Sequence, residues 1–275
     1  MQSWVEDYLN ILKLKIEQPN VRFLTKLIRS HLQQFPFENV GKLIEAGKSE
    51  EAGVSMSVDS FLYRRQVYQM GGTCYTLNIH FHQLLQALGF STRLIYLNED
   101  HISVRVETNQ PDSPPYFVDV GTTAPLFEPI PLRRGLQRSK KFDGEQLIFH
   151  YQKDTQLYRY IRMKDGKQAD ESWAFDPDLE AGEAELRNKV CRSYGPDAPY
   201  MNQLRLQLWV PEKYLLLSLK NNKLISRKAN GATVTKYIHD LPTLERVVQE
   251  DFRLHYLPVL QAASQLEKRM SWAFQ

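Results

Sequence analysis

The sequence contains very little cysteine and lacks a long apolar run. Its only cysteines, Cys74 and Cys191, are too few for a disulfide framework. Acidic residues stand near its start, where a secretory signal would have a basic and then an apolar region. No segment has the roughly 18 consecutive apolar residues that a membrane-spanning helix needs. We therefore expect a cytoplasmic protein with reduced thiols and no membrane partner.

The chain also lacks a large excess of positive or negative charge. The formal net charge is only +3 over 275 residues. Short basic pairs such as Arg64-Arg65 and Lys140-Lys141 are interspersed with acidic residues, which is unlike a nucleic-acid-binding arm. We expect no nucleic-acid partner, and the sequence predicts no particular oligomeric state.

The usual motifs for metals and phosphates are absent as well. His80 and His82 are two residues apart on a predicted helix, so their side chains diverge by about 200° around its axis. Such a pair is poorly placed to share a metal ion. Gly71-Gly72 is too short for a phosphate-binding loop. We therefore predict no metal site.

The hydrophobic pattern divides the chain into three predicted domains within an α+β fold. Apolar residues of segment 1–90 recur mainly at helical spacing, and those of segment 91–193 alternate as in short antiparallel strands. Segment 194–275 opens on a proline- and glycine-containing linker, then shows a strand meander and a helix. The hydrophobic content of 42% is enough for substantial cores.

Cys74 has the sequence surroundings of a reactive thiol. It follows Gly71-Gly72-Thr73 and opens a predicted helix, which should end near Gly89. The first amides of a helix carry partial positive charge, which favours a thiolate placed there. The alternative is an inert buried cysteine, which is common in proteins.

His101 and Asp119 lie on two strands predicted to pair. His101 precedes an alternating strand and faces away from its apolar residues, while Asp119 is an acid in an apolar strand. If the strands form a hairpin, the two side chains could meet, although the register is not readable from the sequence. Taken alone, His101 could be an ordinary surface histidine, and Asp119 could be a turn or capping acid. With Cys74 they satisfy the logic of nucleophile, base and orienting acid.

The motifs around these residues resemble those of the arylamine N-acetyltransferases. Those enzymes carry the cysteine in an Arg-Gly-Gly-x-Cys-aromatic-Glu-x-Asn motif, which corresponds here to Met70-Gly71-Gly72-Thr73-Cys74-Tyr75-Thr76-Leu77-Asn78. The family's Pro-Phe-Glu-Asn signature is present as Pro36-Phe37-Glu38-Asn39, and its Asp-Val-Gly element as Asp119-Val120-Gly121. The order and combination of these motifs make the resemblance specific, and it covers nearly the whole chain.

The sequence departs from the family pattern at several positions. Met70 replaces the motif's arginine, and Thr76 replaces its glutamate. If that arginine normally pairs with the glutamate of Pro-Phe-Glu-Asn, Glu38 needs another partner, and Arg64 or Arg65 could serve. A Thr122-Thr123-Ala124 segment replaces the glycine-rich continuation of Asp-Val-Gly, which would line the acyl-donor pocket.

The resemblance implies a ping-pong acetyl transfer from acetyl-CoA, as co-substrate, to an arylamine, arylhydrazine or N-hydroxyarylamine. Cys74 would form the thioester, His101 would move the proton, and Asp119 would orient His101. The substrate pocket would include Phe37, Tyr75, Gly121 and Thr122, with the Tyr75 amide as an oxyanion donor. The implied fold is an N-terminal helical bundle, a central antiparallel β-barrel and a C-terminal α/β lid, with a transglutaminase-like cysteine-enzyme core.

The sequence leaves two other functions open. The chain order Cys, His, Asp also suits a transglutaminase-like hydrolase. Papain-like proteases use a related pair, but their histidine lies much farther from the cysteine, which counts against that branch. A diverged relative could use a different acyl donor, or could have kept the fold for binding alone. The departures at Met70 and Thr76 keep this last alternative open.

Overall fold

A computed structural model describes residues 2–45, 56–135, 137–142, 145–164, 166–169, 172–210, 215–228 and 232–268. The helices are α1 Ser3–Leu12, α2 Val21–Gln34, α3 Val40–Glu45, α4 Val58–Tyr68, α5 Cys74–Ala87, α6 Glu183–Arg192, α7 Leu241–Glu250 and α8 Val259–Glu267. The strands are β1 Phe37–Glu38, β2 Ser91–Tyr96, β3 Ile102–Glu107, β4 Tyr116–Val118, β5 Ile130–Pro131, β6 Arg138–Phe142, β7 Glu145–Tyr151, β8 Tyr158–Lys164, β9 Lys167–Gln168, β10 Trp173–Phe175, β11 Arg205–Val210, β12 Leu215–Lys220, β13 Lys223–Lys228 and β14 Thr233–Tyr237.

The chain divides into two compact units. The first comprises Met1–Gln34 with Asn78–Gly182, and the second comprises Phe35–Leu77 with Glu183–Gln275. These bounds do not test the three domains predicted from the sequence, whose division stays a prediction. Within the described ranges, no helix is long and apolar enough to cross a membrane.

The helices of the first unit follow the local sequence signals. The Asn20 side chain accepts a hydrogen bond from the amide of Phe23 at 2.9 Å and so caps α2. α2 ends at Gln34, since Pro36 disfavours helical geometry in the residue before it. α1 and α2 bury their apolar stripes, which include Tyr8 and Leu24.

The sheets of the first unit are antiparallel and open. One has the strand order β2-β3-β4-β5, and the other has the order β10-β8-β7-β6, with β9 paired to β8. The described strands therefore form two separate sheets, and the predicted closed β-barrel is wrong. Alternation of apolar residues specifies strands with one buried face, but it does not specify whether the outer strands meet. Side chains such as Phe117 and Phe149 pack in the core of this unit.

The second unit is built around a five-stranded antiparallel sheet with the order β1-β11-β12-β13-β14. Its core includes Leu206 and Leu219 from the sheet and Ala263 from α8. Asp240 caps α7 by accepting a hydrogen bond from the Thr243 amide at 2.7 Å. The α+β class predicted from the sequence is confirmed.

Candidate active site

Cys74 is the first residue of α5 and is only 5% exposed. It lies in the second unit, directly after a tightly packed glycine turn. Gly72 has φ +150°, and a Cβ atom there would lie 2.6 Å from the Cβ of Thr76. A Cβ at Gly71 would lie 2.0 Å from the carbonyl oxygen of Pro36. The sequence prediction of a glycine turn leading into a helix at Cys74 is therefore confirmed.

Gly71→Ala is expected to lower the free energy of unfolding by roughly 3 kcal/mol, because the new methyl group must displace backbone atoms. Gly182→Ala is the matched control, since nothing lies within 4 Å of a Cβ built at Gly182. Urea unfolding of both variants measures the difference. Equal stabilities would contradict the close packing of the turn.

Glu38 holds the glycine turn from inside the second unit. Its Oε1 accepts a hydrogen bond from the Gly71 amide at 3.1 Å, and its Oε2 accepts one from the Gly41 amide at 3.2 Å. Burial raises the pKa of the Glu38 carboxyl, while the positive charge of Arg64 and the amide donors oppose that shift. Arg64, one of the two expected candidates, is thus a cation that acts on Glu38, and its ion pair at 2.9 Å is with Glu45. Met70 itself packs in the apolar core.

His101 and Asp119 meet in the first unit. His101 Nε2 lies 2.7 Å from Asp119 Oδ2, and the Asp119 side chain is almost fully buried. His101 lies just before β3 and Asp119 just after β4, and these two strands pair antiparallel. The predicted proximity of the histidine and the acid is thus present.

The Asp119 carboxylate has further donors that fix its orientation. Its Oδ1 accepts hydrogen bonds from Asn78 Nδ2 and from the Gly121 amide, both at 2.9 Å. Asn78 is itself fixed, because Nδ2 also donates to the Ile102 carbonyl and Oδ1 accepts from the Val120 amide. These donors fix the orientation of the Asp119 carboxylate, which can in turn hold the histidine ring in one orientation.

Aromatic stacking covers one face of the His101 imidazole ring. The rings of His101 and Trp173 stack with centroids 4.7 Å apart and an interplanar angle of 16°. Trp173 in turn stacks on Tyr160 at 5.1 Å. The sequence analysis missed this contact of Trp173, because a tryptophan in a short strand has no signal that distinguishes stacking on His101 from core packing. The contact of Asn78 was also missed, although its place in the cysteine motif was the available signal.

The four predicted pocket residues are all buried, two in each unit. Phe37 packs edge-on against Tyr200 with ring centroids 5.4 Å apart, and Tyr75 follows Cys74 on α5. Gly121 contacts Asp119 through its amide, and Thr122 Oγ1 accepts a hydrogen bond from the Ala124 amide at 3.1 Å. Their participation in a substrate pocket stays a prediction.

A buried arginine anchors the segment that replaces the family's glycine-rich loop. Arg162 on β8 is 2% exposed and donates through Nε to Glu145 Oε2 at 2.8 Å. Its Nη1 donates to Thr123 Oγ1 at 2.8 Å, and its Nη2 donates to the Thr123 carbonyl at 3.1 Å. This segment is therefore fixed by side-chain contacts, where the family pattern uses glycines.

Arg162→Met is expected to lower the free energy of unfolding by about 3 to 5 kcal/mol, because Glu145 then stays buried without its cation. The double variant Arg162→Met/Glu145→Leu should recover most of the loss, since neither charge is then buried. Arg29→Met, which removes an exposed pair with Glu128, is the control and should change little. A double variant no more stable than the single one would contradict this account.

His80 and His82, the two histidines considered for metal binding, have different surroundings. His82 Nδ1 lies 2.9 Å from Thr92 Oγ1, and burial lowers the pKa of His82 to about 4. His80 is buried elsewhere on α5. Among the residues that the structure describes, no three His, Cys, Asp or Glu side chains are grouped so that they could hold a metal ion.

Comparisons with known proteins find one consistent family. A sequence model described as N-acetyltransferase matches residues 20–258. The arylamine N-acetyltransferase of Salmonella typhimurium matches with 19% identity and a TM-score of 0.79, covering 98% of this chain and 99% of that one. The Mycobacterium marinum enzyme in complex with CoA matches with 20% identity and a TM-score of 0.76, covering 96% and 97%. No curated protein matches the sequence.

Proposed function

Because this chain belongs to the arylamine N-acetyltransferase family, we propose that it transfers an acetyl group from acetyl-CoA to an arylamine through a Cys74 thioester. The chain is an acetyltransferase of that family. The thioester route, the roles of the three catalytic residues and the class of amine are the proposed parts. Arylhydrazines and N-hydroxyarylamines belong to the same proposed acceptor class.

In the first half-reaction, Cys74 attacks the thioester carbonyl of acetyl-CoA as a thiolate, and His101 accepts the thiol proton. Since Asp119 is bonded to Nε2, we assign proton exchange to Nδ1 of His101. The Tyr75 amide in the first turn of α5 stabilises the oxyanion of the tetrahedral intermediate. The C–S bond to CoA then breaks, His101 returns the proton to the CoA sulfur, and acetyl-Cys74 remains.

In the second half-reaction, the amine nitrogen attacks the acetyl-Cys74 carbonyl. His101 takes a proton from the nitrogen, and the bond between the carbonyl carbon and the Cys74 sulfur breaks. The products are the N-acetylated amine, the Cys74 thiolate and a protonated His101. Asp119 stabilises this imidazolium by its negative charge, as the acid of such triads does.

The 2.7 Å contact between His101 Nε2 and Asp119 Oδ2 is the observation that carries this proposal. A histidine held by a buried carboxylate is the arrangement that proton transfer to and from a thiol needs. The position of Cys74 at the first residue of α5 supports the nucleophile, because helix N-termini favour thiolates. The solved relative with bound CoA supports a CoA thioester as donor.

We extend the proposal to the remaining predicted features. Phe37, Tyr75, Gly121 and Thr122 line the substrate pocket, and no metal takes part. The division into domains 1–90, 91–193 and 194–275 and a cytoplasmic location belong to the same proposal.

Initial-rate kinetics test the function. With acetyl-CoA and an arylamine varied together, double-reciprocal plots should be parallel, because CoA leaves before the amine reacts. Intersecting lines would contradict the thioester route. Cleavage of amides without acetyl-CoA would instead indicate a cysteine hydrolase.

A further inference from the structure

Trp173 is an aromatic residue to which the proposed reaction assigns no role, although its ring lies against that of His101. The two rings stack with centroids 4.7 Å apart and an interplanar angle of 16°. The His101 side chain is only 12% exposed, so its stacked face is largely withdrawn from water. An interaction across this face is therefore weakly screened by solvent.

The indole ring of Trp173 is itself fixed by the sheet. Trp173 opens β10 and lies directly opposite Tyr160 in the antiparallel pair of β10 with β8. The rings of this cross-strand pair stack with centroids 5.1 Å apart and an interplanar angle of 17°. Tyr160 is 1% exposed and packs against Phe149, with ring centroids 5.0 Å apart. His101, Trp173 and Tyr160 thus form a stack of three rings that is anchored in the core of the first unit.

Trp173 and Asp119 act on different parts of the imidazole. Asp119 Oδ2 contacts Nε2 on the edge of the ring at 2.7 Å, whereas the indole covers a face. A single hydrogen bond on one edge leaves the ring free to tilt about that bond. The stacked indole opposes such a tilt, because the two rings would lose their contact. The carboxylate and the indole together therefore set the direction in which Nδ1 of His101 points.

The stack also distinguishes the two protonation states of His101. The face of an indole ring carries partial negative charge and attracts a cation within about 6 Å of its centroid. A neutral imidazole gains only dispersion from the stack, whereas an imidazolium also gains this electrostatic attraction. The contact thus stabilises the charged ring more than the neutral one, and the charged ring is the form that His101 takes after accepting the thiol proton in the proposed reaction.

We propose that Trp173 is a positioning residue that fixes the plane of the His101 imidazole and favours its protonated form. This role deepens the proposed function and rests on His101 being the group that moves the proton. Both parts of the role concern a contact within the first unit, so they can be measured without any substrate.

The elements around the imidazole carry the charged residues Asp119, Glu99, Asp100 and Arg162. Asp119 contacts Nε2, and Glu99 and Asp100 are exposed residues that directly precede His101. Arg162 lies two residues after Tyr160 on β8 and pairs with Glu145 at 2.7 Å, so its charge is compensated. Replacing Trp173 changes none of these charges. A change in the titration of His101 would therefore come from the lost ring.

An NMR titration of the histidine ring protons tests the favoured protonation. The signals of His101 are those absent from His101→Gln. In Trp173→Leu the titration midpoint of His101 should move to lower pH by about one unit, a tenfold change in the protonation equilibrium. Trp173→Phe, which retains an aromatic face, should keep most of the parent's midpoint. Trp4→Leu, which removes a half-buried tryptophan of α1 in the same unit, is the control and should leave it unchanged.

The sign of the shift separates this role from simple shielding. If the indole only kept water away from the imidazole, its removal would hydrate the charged ring and move the midpoint to higher pH. A shift to higher pH, or equal midpoints in Trp173→Leu and the parent, would overturn the inference. If circular dichroism shows that Trp173→Leu is unfolded, Trp173→Met takes its place under the same criteria.

Rates of acetyl transfer, measured in parallel, separate the inference from the proposed function. We expect kcat/KM to fall by about tenfold in Trp173→Leu and much less in Trp173→Phe. A parent protein that transfers acetyl groups, but whose His101 midpoint does not respond to Trp173→Leu, retains the function and loses the inference. A parent that transfers none but shows the lowered midpoint loses the function and retains the favoured protonation.

Discussion

Replacing Asp119 by asparagine should lower kcat/KM for acetyl transfer by about 10³- to 10⁴-fold, the scale found when the acid of such a triad is converted to its amide. The substitution preserves the shape of the side chain, so the fold should persist. Asp154→Asn is the matched control, because it removes an exposed carboxylate of the same unit and should leave the rate unchanged.

The expected loss follows from the hydrogen bonds of the site. Asp119 Oδ1 accepts from Asn78 and from the Gly121 amide, so an asparagine oxygen would keep that position. Its amide nitrogen would then face His101 Nε2, where Asp119 Oδ2 now lies at 2.7 Å. An amide donor there requires Nε2 to accept, which places the imidazole proton on Nδ1. A histidine protonated on Nδ1 cannot take the thiol proton in the proposed reaction.

Steady-state kinetics with acetyl-CoA and an arylamine measure this change, with circular dichroism to verify the fold. A decrease of less than about tenfold in a folded Asp119→Asn variant would show that the acid does not set the histidine tautomer.

Cys74→Ser should abolish acetyl transfer, with a loss of at least about 10³-fold, because an alcohol is far less ionised than a thiol at neutral pH. The helix N-terminus that favours a thiolate cannot supply the missing acidity of an alcohol. Cys191→Ser is the matched control, because Cys191 is the only other cysteine and lies near the end of α6.

Rates of both serine variants, measured against the parent with the same donor and acceptor, distinguish the two thiols. If Cys191→Ser loses activity and Cys74→Ser retains it, the assignment of the nucleophile is wrong.

Local signals predicted the element that carries Cys74. Gly71 and Gly72 indicated the turn, and α5 begins at Cys74 and ends at Ala87, close to the predicted end at Gly89. Gly89 has φ +87°, the left-handed geometry that ends a helix. Such signals lie within a few residues of each other, so the sequence alone contains them.

Long-range pairing was less predictable. The alternation in β7 and β8 correctly indicated strands, but whether two sheets close into a barrel depends on partners far apart in the chain. The register of β3 with β4, which pairs Val104 with Val118, depends on the intervening loop. His101 and Asp119 could therefore be proposed as partners from the sequence, but the contact between them could not be derived.

The supporting residues of the site depend on contacts that no local pattern encodes. Asn78 donates a hydrogen bond to Asp119, which lies 41 positions away in the chain. Trp173 contacts His101 only because β10 pairs with β8 in the folded sheet. Residue type and spacing cannot reveal such contacts.

Intact-mass analysis after mixing the protein with acetyl-CoA, in the absence of any amine, tests the central claim most directly. We expect a mass increase of one acetyl group, mapped to Cys74 as a thioester, lost on adding an arylamine and absent from Cys74→Ser. Acetyl transfer to an arylamine without any acetylated Cys74, or an adduct confined to another residue, would contradict the account.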